Sequence, residues 1–456
     1  MPGRLQFTLE TGRPAGAAHH GRGPMRLLVV GDFSARPAAE RRPLAERPTH
    51  RVDVDTLDEV IARLAPRLLT TAGSVDFTQL DDFHPDALYQ RLPLFDALRH
   101  SRTRPPEQAA DLLGALLGQG APSAAGAPRS AAPATGIEAL LQRVVAPHIV
   151  PDTRAQTQAY LSAVDSAIAE QMRALLHDPA FQALEAAWRG VQWLIGSLEL
   201  GDDLQLHLFD ASRDELLADV VASQGRLAET ELHRALADRW RGVPGGEPWH
   251  LLAGLYRFGP SDADNGLLAA LGLVASQAGG PFIAEGDRTL AGPPDDPGLA
   301  AWRSLRGSEA APWIGLAAPR VLLRVPYGKA HDPVVSFAFE EFDGAPAHEH
   351  FLWGNPALAV ALLTGRAFTL NGWDFEPGDE REIGDLPAYA FTQDGERELQ
   401  ASAEQYLGEE GGNALLQAGL MPVLSHQHRN AVTVMRMQSI ATPAARLAGT
   451  WAADAR

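Results

Sequence analysis

The sequence predicts a mixed α/β (α+β) protein: a small N-terminal α/β unit linked to a larger, multi-part α/β domain that is preceded by a helical hairpin. Three observations predict it. Short apolar runs that read as strands alternate with segments of helical periodicity along most of the 456 residues, the order expected of a sheet covered by helices. A stretch rich in Pro, Ala and Gly, residues 105–136, reads as a flexible linker between two parts. Those parts differ in charge: residues 1–104 hold 15 Arg/Lys and 13 Asp/Glu, a net of +2, and the remainder holds 24 and 44, a net of −20. Fields of that kind attract one another.

In the N-terminal unit (1–104), RLQFTLE (4–10) alternates in residue type, as a short strand does. MRLLVVGDF (25–33) is a continuous apolar run, the pattern of a strand buried on both faces, ended by Gly31 and Asp32. RVDV (51–54) alternates again. Leu57, Val60, Ile61 and Leu64 recur at helical spacing until Pro66, which has no N–H to give a helix interior. SVDFTQL (74–80) is a further strand, and Pro85 suits the first turn of a helix running toward Leu98.

Residues 137–200 read as the helical segment. IEALLQRVVAPHIVP (137–151) is amphipathic up to Pro147, and Leu161, Val164, Ile168, Met172 and Leu175 mark one face of the next helix. Asp178 then offers a cap, with Pro179 at the first helical position. Phe181, Leu184, Trp188, Val191 and Ile195 follow at steps of 3, 4, 3 and 4, a single apolar stripe, so Trp188 reads as core. Trp193 lies off that stripe and is expected to meet a neighbouring domain or subunit. Glu185 and Arg189 stand four apart on a more polar side, where a weak pair is expected.

The core domain (201–456) continues the alternation. DLQLHLF, WHLLAGLYRFG, PFIAE and RVLLRVPYG read as strands; DELLADVVAS, residues 265–277 and ALAVALLTGRAF read as helices.

The composition removes several functions. A net charge of −18 argues against nucleic acid, whose phosphates call for a basic face. The absence of cysteine excludes disulfides and thiolate metal sites. No apolar run reaches the roughly 18–20 residues that span a bilayer, so no membrane insertion is expected. The N-terminus lacks a secretion signal's basic-then-apolar layout, which predicts a cytoplasmic protein. No phosphate-binding loop or nucleophile elbow occurs, and the Gly pairs in PGGEP and AGGPF lack the accompanying Lys or Ser/Thr. His348, Glu349 and His350 have the wrong spacing for a helical zinc motif. On a strand the two histidines share a face, as do His426 and His428, and two such pairs could meet on a metal. Glu340 and Glu341 of FAFEEF fall on opposite faces of a strand, where a salt bridge or subunit contact is expected. No catalytic constellation emerges, so neither enzyme nor cofactor is expected.

Several of these segments resemble a known pair of proteins, the small and large subunits of the type VI secretion contractile sheath. LLHDPAFQALEAAWRGVQWLI (175–195) is similar to the large subunit, and the likeness continues through GLYRFG, PFIAE, WIGLAAPRVLLRVPYG, FAFEEF, FLWGNPALA, LLQAGLMPVLSH and MQSIATP. VVGDFSARP, RPTHRVDVDTLDEVIARLAPRL and the VDF…LDDFHPDAL segment resemble the small subunit. The chain thus resembles a natural fusion of both, with the large subunit's C-terminal interlocking domain expected to be absent after MQSIATP. The resemblance implies a structural subunit of a polymer around an inner tube, ejected by contraction. The implied partners are other sheath subunits or further copies, the inner tube protein, baseplate components and a AAA+ unfoldase. A specialised ring or cap, a regulatory sheath binder, and a metal enzyme using His348, Glu349 and His350 are the alternatives. The residues that carry the family pattern, expected to serve packing or interfaces, are Phe181, Glu185, Trp188, Arg189, Arg320, Arg324, Tyr327, Trp353 and Asn355.

Overall fold

The computed structural model describes residues 23–70, 73–103, 153–241, 246–293, 295–342, 347–393 and 396–451. The expected strand at 4–10, the linker at 105–136 and the helix at 137–151 lie outside the described residues.

The apolar run near the N-terminus forms β1 (Met25–Gly31), every residue of which is buried. It is followed by β2 (His50–Val52) and α1 (Leu57–Leu64), then by the hairpin β3 (Arg67–Thr70) and β4 (Gly73–Asp76). Ala65, in a left-handed conformation, stops α1 one residue before Pro66. The helix expected from Pro85 is two helices, α2 (Pro85–Arg91) and α3 (Pro93–Thr103), because Pro93 cannot continue the first. The larger part opens with the long helices α4 (Thr153–Leu176) and α5 (Pro179–Ser197). Next come β5 (Leu204–Asp210), α6 (Arg213–Ala222), β6 (Leu251–Phe258), α7 (Asp262–Ala278), β7 (Phe282–Gly286), α8 (Ala300–Arg306) and β8 (Ile314–Ala318). A second run comprises β9 (Val321–Arg324), β10 (Leu352–Gly354), α9 (Ala357–Asn371) and β11 (Glu382–Ile383). The last elements are the hairpin β12 (Ala390–Gln393) and β13 (Glu396–Leu399), α10 (Glu409–Gln417), β14 (Leu420–Ser425) and β15 (Val432–Val434).

Nine strands make one sheet in the order β11-β15-β14-β8-β7-β6-β1-β5-β2. The N-terminal unit keeps only the β3–β4 hairpin as a sheet of its own, and its β1 and β2 join the large sheet. β1 is inserted between β5 and β6 and runs parallel to both, from Met25 opposite Leu204 to Gly31 opposite Asp210 on one side and from Leu27 opposite Leu251 on the other. An interior parallel strand buries both faces, which is why its sequence is apolar without alternation. The same reason overrides the period-two pattern of β5, whose His207 is nearly as buried as its leucines. β2 pairs antiparallel with β5 at the sheet's end.

Helices cover both faces. Met25, Leu27 and Val29 point into a core shared with α5, α9 and the aromatic residues of the N-terminal part. Leu28 and Val30 point the other way, into a core built with α6 and α7. Helix α9 lies against β1, β6, β7 and β8, and its residues from Ala357 to Gly365 are all buried. Burying each of its leucines is worth about 1.5–3 kcal/mol. Helices α5 and α9 approach closely at Gly190, where an added Cβ would stand 2.3 Å from Leu358 Cδ1.

Candidate functional site

Helix α5 starts as its sequence predicts. Asp178 Oδ1 accepts the backbone N–H groups of Ala180 and Phe181, both at 3.0 Å, and Pro179 occupies the first position. The stripe behind this cap is buried, and it meets the N-terminal part of the chain. The Phe181 ring lies 6.2 Å from Phe77 and 5.8 Å from Phe83, which stack on one another at 4.1 Å. Trp188 is fully buried. Its ring sits 5.1 Å from that of Phe33, and its indole N–H donates to the Phe33 carbonyl at 3.0 Å. Trp193, expected to face another domain, is half-buried against this same core.

The polar side of α5 departs from expectation. Glu185 is 0% exposed, and its pair with Arg189 (2.6 Å) is one edge of a buried network rather than a weak surface contact. Arg324 of β9 donates to Glu185 at 2.9 and 3.3 Å and to Glu341 at 2.7 and 3.1 Å. Arg189 also donates to the Tyr327 hydroxyl at 2.7 Å, and Glu341 accepts the Tyr327 backbone N–H at 2.8 Å. Two guanidiniums thus balance two carboxylates. Burial opposes the charge on Arg324, but Glu185 and Glu341 outweigh it and hold the guanidinium well above its ordinary value. Burial likewise would raise Glu341, yet Arg324 and nearby His177 bring it down to about 2. Carboxylates saturated by Arg donors cannot serve as general bases, so the cluster is chemically inert and mechanically stiff.

Glu341 is not on a strand. Residues 335–341 have no ladder partner; instead Asp86, from the N-terminal part, accepts the N–H groups of Val335 and Ser336 at 3.0 and 2.7 Å. Phe337 packs on Tyr89 at 4.7 Å. The carboxylate of Glu340 accepts the Lys329 N–H at 3.2 Å.

A second arginine network joins the two parts directly. Arg41 and Arg47 donate to Glu215 of α6; the Arg41 contact is 3.0 Å, and Arg47 spans both carboxylate oxygens, one at 2.5 Å. Arg41 also holds Asp32 at 2.6 Å. Asp210, at the end of β5, accepts the N–H groups of Phe33 and Ser34 at 2.9 and 3.0 Å and the Ser34 hydroxyl at 2.7 Å. Ser212 and Glu215 form a capping box at the start of α6, which presents the glutamate to the arginines. Burial opposes ionisation of Glu215, but hydrogen bonds from Arg47 and Ser212 leave its carboxyl below the usual range. On the other end of β1, Arg26 lies over Trp249 and Trp240, 4.0 and 4.2 Å from the ring centres.

The remaining sequence-predicted residues hold the central domain together. Arg320 binds Glu404 through two bonds of 2.8 and 2.7 Å. Trp353 donates its indole N–H to the His348 carbonyl at 3.0 Å. Asn355, just ahead of α9, accepts the Ala357 N–H at 3.0 Å and donates to the Tyr256 carbonyl at 3.1 Å. The segment His348–His350 is a 3-10 turn, not a strand. Its histidines diverge: His348 Nε2 lies 3.1 Å from Glu404, and His350 stacks on His177 at 3.8 Å. His426 instead meets the Thr433 hydroxyl at 2.8 Å. Among the described residues no group of three or more His, Asp or Glu could hold a metal ion.

Sequence reasoning missed Glu285. This β7 carboxylate borders a cavity of about 400 Å3 shared with Asp32, Arg320, Trp353 and Asn355. It makes no hydrogen bond through its side chain among the described residues, and its nearest cation is Arg257 at 3.5 Å. Burial pushes it up to about 7, against the pull of Arg320 and Arg257. An acidic residue within the apolar word PFIAE was the available signal.

Residues 158–295 and 286–441 match the family model described as EvpB/VC_A0108, tail sheath N-terminal domain. Residues 3–119 match a second model, described as type VI secretion system, VipA, VC_A0107 or Hcp2. Among curated proteins the chain is 32% identical over 310 residues to the type VI secretion system sheath protein TssC1 of Pseudomonas aeruginosa, covering 63% of this chain and 62% of that protein. The chain thus spans about three-fifths of the length of the curated relative it matches.

Proposed function

We propose a mechanical role, because this chain belongs to the tail sheath family of type VI secretion: it is a sheath protomer in which one polypeptide supplies both the small and the large subunit. The family is structural, not enzymatic. The observation that carries the reading is the position of β1. Two strands from the segment matching the small-subunit family, β1 inside the sheet and β2 at its end, join seven strands from the segment matching the large-subunit family. The linked halves behave as one rigid block, and linkage fixes their ratio at one to one.

Such a block suits a contractile lattice. Contraction needs protomers that rotate as units while contacts between them repack. The two arginine networks and the shared core stiffen the unit from within, so that work appears at its surfaces. Assembly with further copies or other sheath subunits follows from this role, as do contacts with an inner tube protein and baseplate components and recycling by a AAA+ unfoldase. The cytoplasm is the corresponding compartment, and no helix among the described residues is long and apolar enough to cross a membrane.

Electron microscopy of the purified full chain, alone and mixed with the inner tube protein, tests the reading. Ordered tubes or helical arrays are the expected result. Monomers under every condition, with no binding to the tube protein, would contradict it.

A further inference from the structure

One arginine-lined pocket opens beside the Glu215 network. Its volume is about 370 Å3, it lies at the C-terminal ends of β1 and β5, and Arg36, Arg41, Arg42, Arg47, Arg63 and His50 line it. Asp210 lines it too, but its oxygens are occupied by Phe33 and Ser34. Glu40 stands on the exposed rim. Arg41 and Arg47 are turned inward to Asp32 and Glu215.

The other three arginines are different. The Arg42 guanidinium has no hydrogen bond or ion pair among the described residues. Arg36 gives only Nε, to the Ala65 carbonyl at 3.0 Å. Arg63 pairs with Glu59, one turn away on the exposed face of α1. Open N–H donors therefore surround the mouth. His50, buried beneath them, is lowered first by that burial and then by Arg63, so it is uncharged near neutral pH.

We propose that this pocket receives carboxylate side chains from the acid-rich larger part of a second copy of this chain, forming a contact between neighbouring protomers. Guanidinium forks match carboxylates bidentately, and several around one cavity select a cluster of acids over a single one. The charge distribution supplies the partner: residues 1–104 carry a net of +2 and the rest −20. Between copies, the attractive pairing brings the arginine pocket of one onto the acidic surface of the next. The inference rests on the assembly reading and adds to it a polarity, pocket to acidic face, that repeats head to tail.

The test is self-association of the full chain by sedimentation velocity at low and high salt, comparing the wild type with Arg36→Glu/Arg42→Glu. The variant should associate about tenfold or more weakly, since charge reversal converts attraction to repulsion, and its residual association should lose most of its salt dependence. Should the double variant misfold, Arg42→Ala decides: a weaker loss in the same direction, with an unchanged thermal midpoint, supports the pocket. Wild-type association matched by a folded variant, with the same salt slope, overturns the pocket and leaves the assembly reading standing. A wild type that never associates overturns both. Saturable binding of inorganic phosphate, lost in the variant while association is unchanged, reassigns the pocket to a small anion and overturns the proposal.

Discussion

The two arginine networks are built from the same chemistry and do different jobs. The cluster around Arg324 lies wholly within the larger part: Glu185, Arg189, Tyr327 and Glu341 pin helix α5 to β9 and to the irregular segment before residue 342. The cluster around Glu215 crosses the boundary, with both arginines, Arg41 and Arg47, drawn from the N-terminal part. In the first, both carboxylates are 0% exposed and must be satisfied to exist there at all. In the second, the Glu215 carboxylate is 10% exposed and lies beside the pocket proposed as a contact between copies. The difference shows how one sheet can be both stiff inside and adhesive at one end.

The largest effect is expected at the dry cluster. Glu185→Ala leaves Arg324 and Arg189 short of their counter-charge in the core and should cost about 3–5 kcal/mol, read by denaturant unfolding. A loss below about 1 kcal/mol would mean that water reaches the site. Glu341 adds a pH signature. Its folded value, about 2, lies below the ordinary carboxyl value of 4.5, so its stabilisation is full above pH 4.5 and disappears as pH falls toward 2. Glu341→Gln should therefore flatten acid unfolding in that window.

The boundary cluster comes next. Glu215→Ala should cost about 2–3 kcal/mol, because Arg41 keeps Asp32 and the site is nearer to solvent. The comparison sharpens in a chain nicked within residues 105–136: Glu215→Ala should weaken the cohesion of the two pieces, whereas Glu185→Ala should destabilise without separating them. The reverse pattern would break the assignment of the two roles.

Glu285 gives a smaller effect of opposite sign. Its folded value is raised to about 7 from 4.5, so the fold binds an extra proton between those values and loses stability as pH rises through them. Glu285→Gln should stabilise by about 2 kcal/mol at pH 8 and have no effect at pH 4. Thermal melts at both pH values check this. The smallest change is expected from His348→Ala, whose side chain is half exposed beside Glu404. It should shift stability by less than about 1 kcal/mol and leave metal content unchanged in elemental analysis.

Local features were legible in the sequence, and long-range pairings were not. The Asp178–Pro179 start of α5, its apolar stripe and the doubly buried character of β1 all follow from short-range rules. The neighbours of β1 do not, because parallel partners lie 179 and 224 residues away and no local pattern specifies strand order. Glu185 was misplaced because an i, i+4 pair on a helix looks the same in water and in a core; what decides is that β9 covers that side. The segment around Glu341 alternates like a strand but donates its N–H groups to Asp86 and bonds with Tyr327, so it never enters a ladder. Of the site residues, Phe181, Glu185, Trp188, Arg189, Arg324 and Tyr327 converge on α5, whereas Arg320, Trp353 and Asn355 line the cavity beside Glu285. Arg41, Arg47 and Glu215 were not singled out, since each reads alone as an ordinary surface charge.

The most direct measurement is to place a protease site within residues 121–133, cut the purified chain, and follow the products by size exclusion and thermal melting. With β1 held between β5 and β6, the cut protein should elute as a single species at micromolar concentration, with a melting midpoint within a few degrees of the uncut chain. Two separating fragments, each folded by itself, would contradict the shared sheet and the protomer built on it.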